Sequence, residues 1–273
     1  QVTAATTGAG NAGNVFVRGW DGPGTDATSV TLGSQAGIVT SASGAGAAGN
    51  IDVQAGTVAV SGSTGAVGQS GISSASTGTG SAAGKAGNVT VTANTLTLSN
   101  GGQIAATTVD GDSQPGEAGG EGGSIVLKVN NLALSAGTQV TASTTGTGNG
   151  GTITIRDRDE GAPDLDLAIT TDSINTSTSG AGDAGSINLV ADTVTLTGAT
   201  AVLASSSIGT GPGAGKAGNV TVTANTLQLE DQGRIAATTV DGDSQPGEAG
   251  GEGGSIVLKV NNLALSAGTQ VTA

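Results

Sequence analysis

The sequence predicts an all-β chain: a parallel right-handed β-helix, or β-solenoid, of about eight layers with three short strands per layer. Three observations predict it. An apolar-x-apolar triplet recurs eight times, opened by Val15, Ile51, Val89, Ile125, Ile153, Ile187, Val220 and Ile256. A glycine stands two residues before each of them, at Gly13, Gly49, Gly87, Gly123, Gly151, Gly185, Gly218 and Gly254. The spacings are 36, 38, 36, 28, 34, 33 and 36 residues, within the roughly 20–50-residue period of solenoids, propellers and arrays.

The triplet is the first strand of each layer. A second apolar pair follows about seven residues later in the compact layers, at Val58/Val60, Leu96/Leu98, Leu132/Leu134, Val194/Leu196, Leu227/Leu229 and Leu263/Leu265. The third strand is expected at Ile38, Ile72, Ile104, Val140, Ile174, Val202, Ile235 and Val271, each followed two residues on by Ala, Ser or Thr. Alternation of period two sends one face inward and one outward. Three inward faces joined by corners close a triangle, and stacked triangles pair each strand with its counterparts at about 4.8 Å per layer. The hand is assumed, because periodicity carries no handedness.

Corners explain the glycines: a chain that turns within one or two residues often needs φ > 0 and no Cβ. The residue after each anchor glycine is polar: Asn14, Asn50, Asn88, Ser124, Thr152, Ser186, Asn219 and Ser255. Stacked one per layer, these side chains are expected to form a hydrogen-bonded ladder. Asn88-Val89-Thr90 and Asn219-Val220-Thr221 also match the N-glycosylation sequon; in a bacterial chain the ladder takes precedence.

Composition agrees with thin layers rather than a globular core. Glycine is 51 of 273 residues; Trp20 and Phe16 are the only aromatics, and Tyr, Met, His and Cys are absent. The glycines do not fall at every third position, which excludes collagen. With 8 basic and 21 acidic residues the formal charge is −13. That disfavours nucleic acid, whose phosphates need Lys and Arg. Zero Cys removes disulfides and thiolate metal sites. No stretch approaches the ~20 apolar residues of a membrane helix.

A longer period lies over the short one. Residues 84–142 and 215–273 align at an offset of 131 with 54 of 59 positions identical. Four layers therefore make one super-repeat. The chain is one continuous solenoid over 1–273, with super-repeats at 1–138 and 139–269 and a third beginning at 270. Gln1 is not a natural start, and the chain is read as a fragment. Layers one and five carry insertions between the first two strands, Arg18 to Gly24 and Arg156 to Pro163. Layers three and seven carry an acidic loop after the third strand, 110–123 and 241–254.

The acidic loops are the candidate metal site. Asp110, Asp112, Glu117 and Glu121, repeated as Asp241, Asp243, Glu248 and Glu252, offer oxygen ligands suited to calcium. The order departs from an EF-hand loop, since Pro115 replaces the required glycine. The competing readings are a solvated acidic loop and a charge column: Asp183, Lys216 and Glu252 take the same position in successive layers, as do Lys85 and Glu121. Phe16 should face outward, because Val15 and Val17 face in; with Trp20 it could stack on a sugar or a neighbouring fibre. Outward Thr-x-Thr pairs do not persist from layer to layer, which argues against ice binding. No nucleophile–base pair can be assembled without His or Cys, so the chain is expected not to be an enzyme.

The stretch Gly-Asn-Val-Thr-Val-Thr-Ala-Asn-Thr-Leu-Thr-Leu-Ser-Asn-Gly-Gly-Gln-Ile-Ala-Ala-Thr-Thr (87–108) resembles the repeats of filamentous-haemagglutinin-like exoproteins of the two-partner-secretion type, in the style of the large repetitive forms of cyanobacteria. The resemblance covers all eight layers. It implies a right-handed β-helical shaft, export by two-partner secretion, and a place outside or on the surface of a Gram-negative-type bacterium. The secretion domain of that family is not among these residues, and no catalytic residue is carried over. The expected function is a structural filament shaft of a sheath, matrix or surface fibre, whose partner is itself. The alternative is an adhesin that binds polysaccharide or other cells through its repeated loops.

Overall fold

A computed structural model describes residues 1–21, 25–62, 70–78, 84–109, 120–159, 166–170, 172–209, 215–241 and 251–273. These residues form strands and no helix: β1 (Val2–Thr6), β2 (Val15–Val17), β3 (Ala27–Leu32), β4 (Gly37–Ala42), β5 (Ile51–Ser61), β6 (Gly71–Ser76), β7 (Val89–Ser99), β8 (Gln103–Val109), β9 (Ile125–Ser135), β10 (Gln139–Thr145), β11 (Ile153–Arg156), β12 (Asp166–Thr170), β13 (Ser173–Thr178), β14 (Ile187–Thr197), β15 (Val202–Gly209), β16 (Val220–Glu230), β17 (Arg234–Asp241), β18 (Ile256–Leu265) and β19 (Gln270–Thr272). None of the described segments is a helix long and apolar enough to cross a membrane.

The strands make two parallel ladders. One runs β1-β4-β6-β8-β10-β13-β15-β17-β19, and the other β2-β5-β7-β9-β11-β14-β16-β18. The chain crosses from one ladder to the other twice per layer, which is a β-solenoid. All eight anchors stand in one column: Val15 pairs with Ile51, Ile51 with Val89, Val89 with Ile125, and so on to Val220 with Ile256. Register is fixed because a one-residue slip would turn every inward aliphatic out to solvent.

The expected first and second strands of a compact layer are one strand. In β9, Ile125, Leu127 and Val129 point inward, Asn130 and Asn131 both face away from the core, and Leu132 and Leu134 point inward again. Two successive outward residues shift the alternation by one, so the strand bends there while its ladder continues on both sides. Only the insertions of layers one and five break it, giving β2/β3 and β11/β12. In those layers Val30 and Leu167 supply the second-strand positions.

The third-strand column holds at Ile38, Ile72, Ile104, Val140, Ile174 and Ile235, but layer six differs from expectation. Leu203, not Val202, pairs with Ile174 and Ile235. Leu203 is fully buried, and Ser205 follows it inward, where its hydroxyl donates to the Gly185 carbonyl (2.8 Å) and accepts from the Gly218 N–H (2.8 Å). Inward Ser205 gives the Gly218 N–H its acceptor and the Gly185 carbonyl a second donor beside the Thr176 hydroxyl; inward Ala204 would take that acceptor from Gly218.

The anchor glycines serve a different purpose from the expected one. None of the eight has a positive φ. From Gly49 onward each stacks tightly on the anchor glycine before it: a Cβ on Gly151 would fall against the carbonyl oxygen of Gly123, nearer than the 3.0 Å that Cβ atoms keep. Close backbone approach, not torsion, demands glycine there. Left-handed residues cluster at the turn between the two ladders instead, at Asn100 (φ 51°), Gly101 (φ 77°), Ala136 (φ 62°) and Gly137 (φ 79°).

Candidate functional site

The polar ladder behind the anchor glycines forms. The Asn50 N–H donates to Asn14 Oδ1 (2.8 Å), the Asn88 N–H to Asn50 Oδ1 (2.8 Å), and the Ser124 N–H to Asn88 Oδ1 (2.9 Å). The second copy repeats it, with the Ser255 N–H donating to Asn219 Oδ1 (2.9 Å). The two sequon asparagines therefore already spend their amide oxygens on the neighbouring layer.

Four residues before each anchor runs a second column. The Asp183 N–H donates to Asn149 Oδ1 (2.9 Å), and the Lys216 N–H to Asp183 Oδ1 (2.8 Å). Lys216 then reaches up to Glu252 (2.7 Å), as Lys85 does to Glu121. The Glu252 carboxylate raises the pKa of the Lys216 ammonium, by hydrogen bond first and charge second. Two of the eight candidate calcium ligands, Glu121 and Glu252, are thus engaged by lysines. Asp110, Asp112, Glu117, Asp243 and Glu248 lie outside the described residues, as does the side chain of Asp241. Among the described residues no three acidic side chains converge on one point.

The described residues of the insertions stand at the bend of the long strand. Phe16 faces outward as expected and is 60 % exposed; Trp20 is 94 % exposed. The Arg18 guanidinium lies over the Phe16 ring, 5.1 Å from its centroid, and pairs with Asp52 (2.7 Å). Aromatic face, cation and carboxylate together suit a flat, hydroxyl-bearing ligand.

No family model, curated protein or solved structure matches the chain. The chemistry of the surface therefore rests on these contacts alone.

Two features escaped sequence reasoning. Asp172 is 2 % exposed beneath the third-strand ladder, in a cleft of about 430 Å³ lined also by Thr138, Gln139, Ser173 and Thr200. Its Oδ1 accepts the Thr138 N–H (2.6 Å), while Oδ2 has no hydrogen-bond partner among the described residues. Burial raises its pKa above 3.8, against the lowering effect of the Thr138 hydrogen bonds. Nothing in the local pattern Thr-Asp-Ser separates this aspartate from a solvated loop residue. The second feature is Arg158 in the insertion of layer five. Its Nη1 donates to Asn94 Oδ1 (2.9 Å), its Nη2 pairs with the Asp26 carboxylate, and its backbone N–H donates to Asn130 Oδ1 (3.3 Å). The available signal was the 132-residue separation of Asp26 and Arg158, which nearly equals the super-repeat offset.

Proposed function

We propose that the chain is a stretch of the shaft of an extracellular or cell-surface filament: structural, non-enzymatic, and of the kind built by filamentous-haemagglutinin-like exoproteins of Gram-negative-type bacteria. A right-handed winding and a three-faced cross-section go with this reading. The observation that carries it is the pair of parallel ladders through all eight layers, with layers three and four repeated almost residue for residue in layers seven and eight. Such a body lengthens by adding layers at constant cross-section, with stiffness supplied by the ladders and register by the sealed aliphatic columns.

Self-association goes with the same reading. The test is immunogold labelling of the cells that make the protein, with diffraction from the purified native material. Labelled surface filaments with axial spacings near 4.8 Å and near 19 Å, four layers, are expected. Labelling confined to the cell interior, or compact particles without those spacings, would refute the proposal. Because Glu121 and Glu252 are held by lysines, chelation of calcium is expected to leave such filaments intact.

One observation favours a second reading, an adhesin for polysaccharide or other cells: the exposure of Phe16 and Trp20 beside the Arg18–Asp52 pair. Deleting residues 18–24 would then abolish attachment and leave filaments unchanged.

A further inference from the structure

We propose that Arg158 is a brace that locks one four-layer block of the solenoid onto the block before it. The inference concerns the fold and deepens the shaft reading, on which it rests only for its mechanical use.

In a solenoid each layer touches only its neighbours, so stability is a sum of nearest-neighbour terms and any interface can open on its own. Arg158 breaks that rule. It sits in layer five and bonds to layer four through Asn130, to layer three through Asn94 and to layer one through Asp26. Four rungs span roughly 19 Å, more than one arginine side chain covers. Arg158 and Asp26 therefore approach each other along the axis, across the bend of the layers between. At that bend layers three and four present Asn94 and Asn130, while layer two presents only Gly56. The amide oxygens form the seat of the brace, and the glycine leaves the surface bare on the way to Asp26.

The guanidinium suits this task. Its planar fork donates to an amide oxygen and a carboxylate at once, which a lysine ammonium does not do with the same geometry. Arg158 and Asp26 have side chains only 18 % and 30 % exposed, so water and salt screen the pair less than they screen Lys85–Glu121. The molecule also contains its own control. Asn225 and Asn261 repeat Asn94 and Asn130 at the offset of 131. There Asn225 Oδ1 accepts from Asn261 Nδ2 (3.0 Å), where Asn94 Oδ1 accepts from Arg158 Nη1.

Hydrogen exchange of the intact chain, read by mass spectrometry on peptides of β3, β5 and β16, tests this. Arg158→Ala is expected to speed exchange in β3 and β5 about tenfold, the loss of a charge-assisted, partly shielded contact, with β16 unchanged. Asp26→Asn should act on the same two strands, and Arg158→Lys should fall between wild type and Arg158→Ala. Two results would overturn the proposal: rates in β3 and β5 within about twofold of wild type in both Arg158→Ala and Asp26→Asn, or acceleration spread equally into β16, which would mark general destabilisation. Neither reading depends on filaments being seen, so this test and that of the shaft fail independently.

Discussion

Crowding, not torsion, selects glycine two positions before the anchors from Ile51 onward, and this makes a sharp prediction. Gly151→Ala keeps an allowed backbone conformation yet drives a methyl into the Gly123 carbonyl. It should cost roughly 2–4 kcal/mol, measured by urea denaturation, although alanine is otherwise the mildest replacement. Asp172 gives a second test. Burial raises its carboxyl above 3.8, so the folded state holds the proton more tightly than the unfolded one. Its protonated form is the one folding favours. Stability from this group is therefore fully present below pH 3.8, falls as pH rises through the raised value, and is flat above it. Asp172→Asn retains the oxygen that accepts the Thr138 N–H and removes the buried charge. Its melting temperature should exceed wild type at neutral pH, and the gain should shrink towards zero below pH 3.8; an equal gain at both ends would rule out the linkage.

Among strands, layer six decides between two adjacent aliphatics. Val202 and Leu203 both satisfy an apolar-x-small pattern, and the structure turns Leu203 in. Leu203→Ala should cost about 2–5 kcal/mol by cavity formation, and Val202→Ala less than about 1 kcal/mol; reversed costs would restore the other register. Inward hydroxyls explain the choice and mark a four-layer rhythm. Thr40 and Ser74 both donate to the Gly49 carbonyl, and Thr176 and Ser205 both donate to the Gly185 carbonyl. The corresponding positions in β8, β10 and β17 are Ala106, Ala142 and Ala237. Each super-repeat thus carries one pair of hydroxyls on an anchor-glycine carbonyl, with alanine at that position in the layers between.

Along the length of the solenoid, identical sequences sit in different surroundings. Residues 254–273 repeat 123–142, but layer four is covered on both sides and layer eight on one. In the 273-residue chain, amides of β18 should exchange at least about 100-fold faster than those of β9, since edge rungs open locally and middle rungs only with much of the stack. NMR is the method, because the two segments give indistinguishable peptides. Equal rates would mean that the solenoid opens as one unit. The Arg158 brace predicts a further asymmetry, with the N-terminal block better protected than its exposed first rung implies.

The eight anchors, the second-strand pairs, the insertion sites, the outward Phe16, the asparagine ladder and the Lys–Glu column were all legible in the sequence. Each is a local pattern, alternation of period two or a residue type at a fixed offset, multiplied by repetition until its column is unmistakable. What the chain order does not carry is the contact between layers. The merging of two strands through the bend at Asn130-Asn131, the inward turn of Leu203, the burial of Asp172 and the reach of Arg158 to Asp26 each depend on residues tens to more than a hundred positions apart. Their energies arise only when one rung lies about 4.8 Å above another. At that spacing a carbonyl excludes a methyl group, a hydroxyl finds a corner glycine, and a guanidinium from one block meets a carboxylate from the block before.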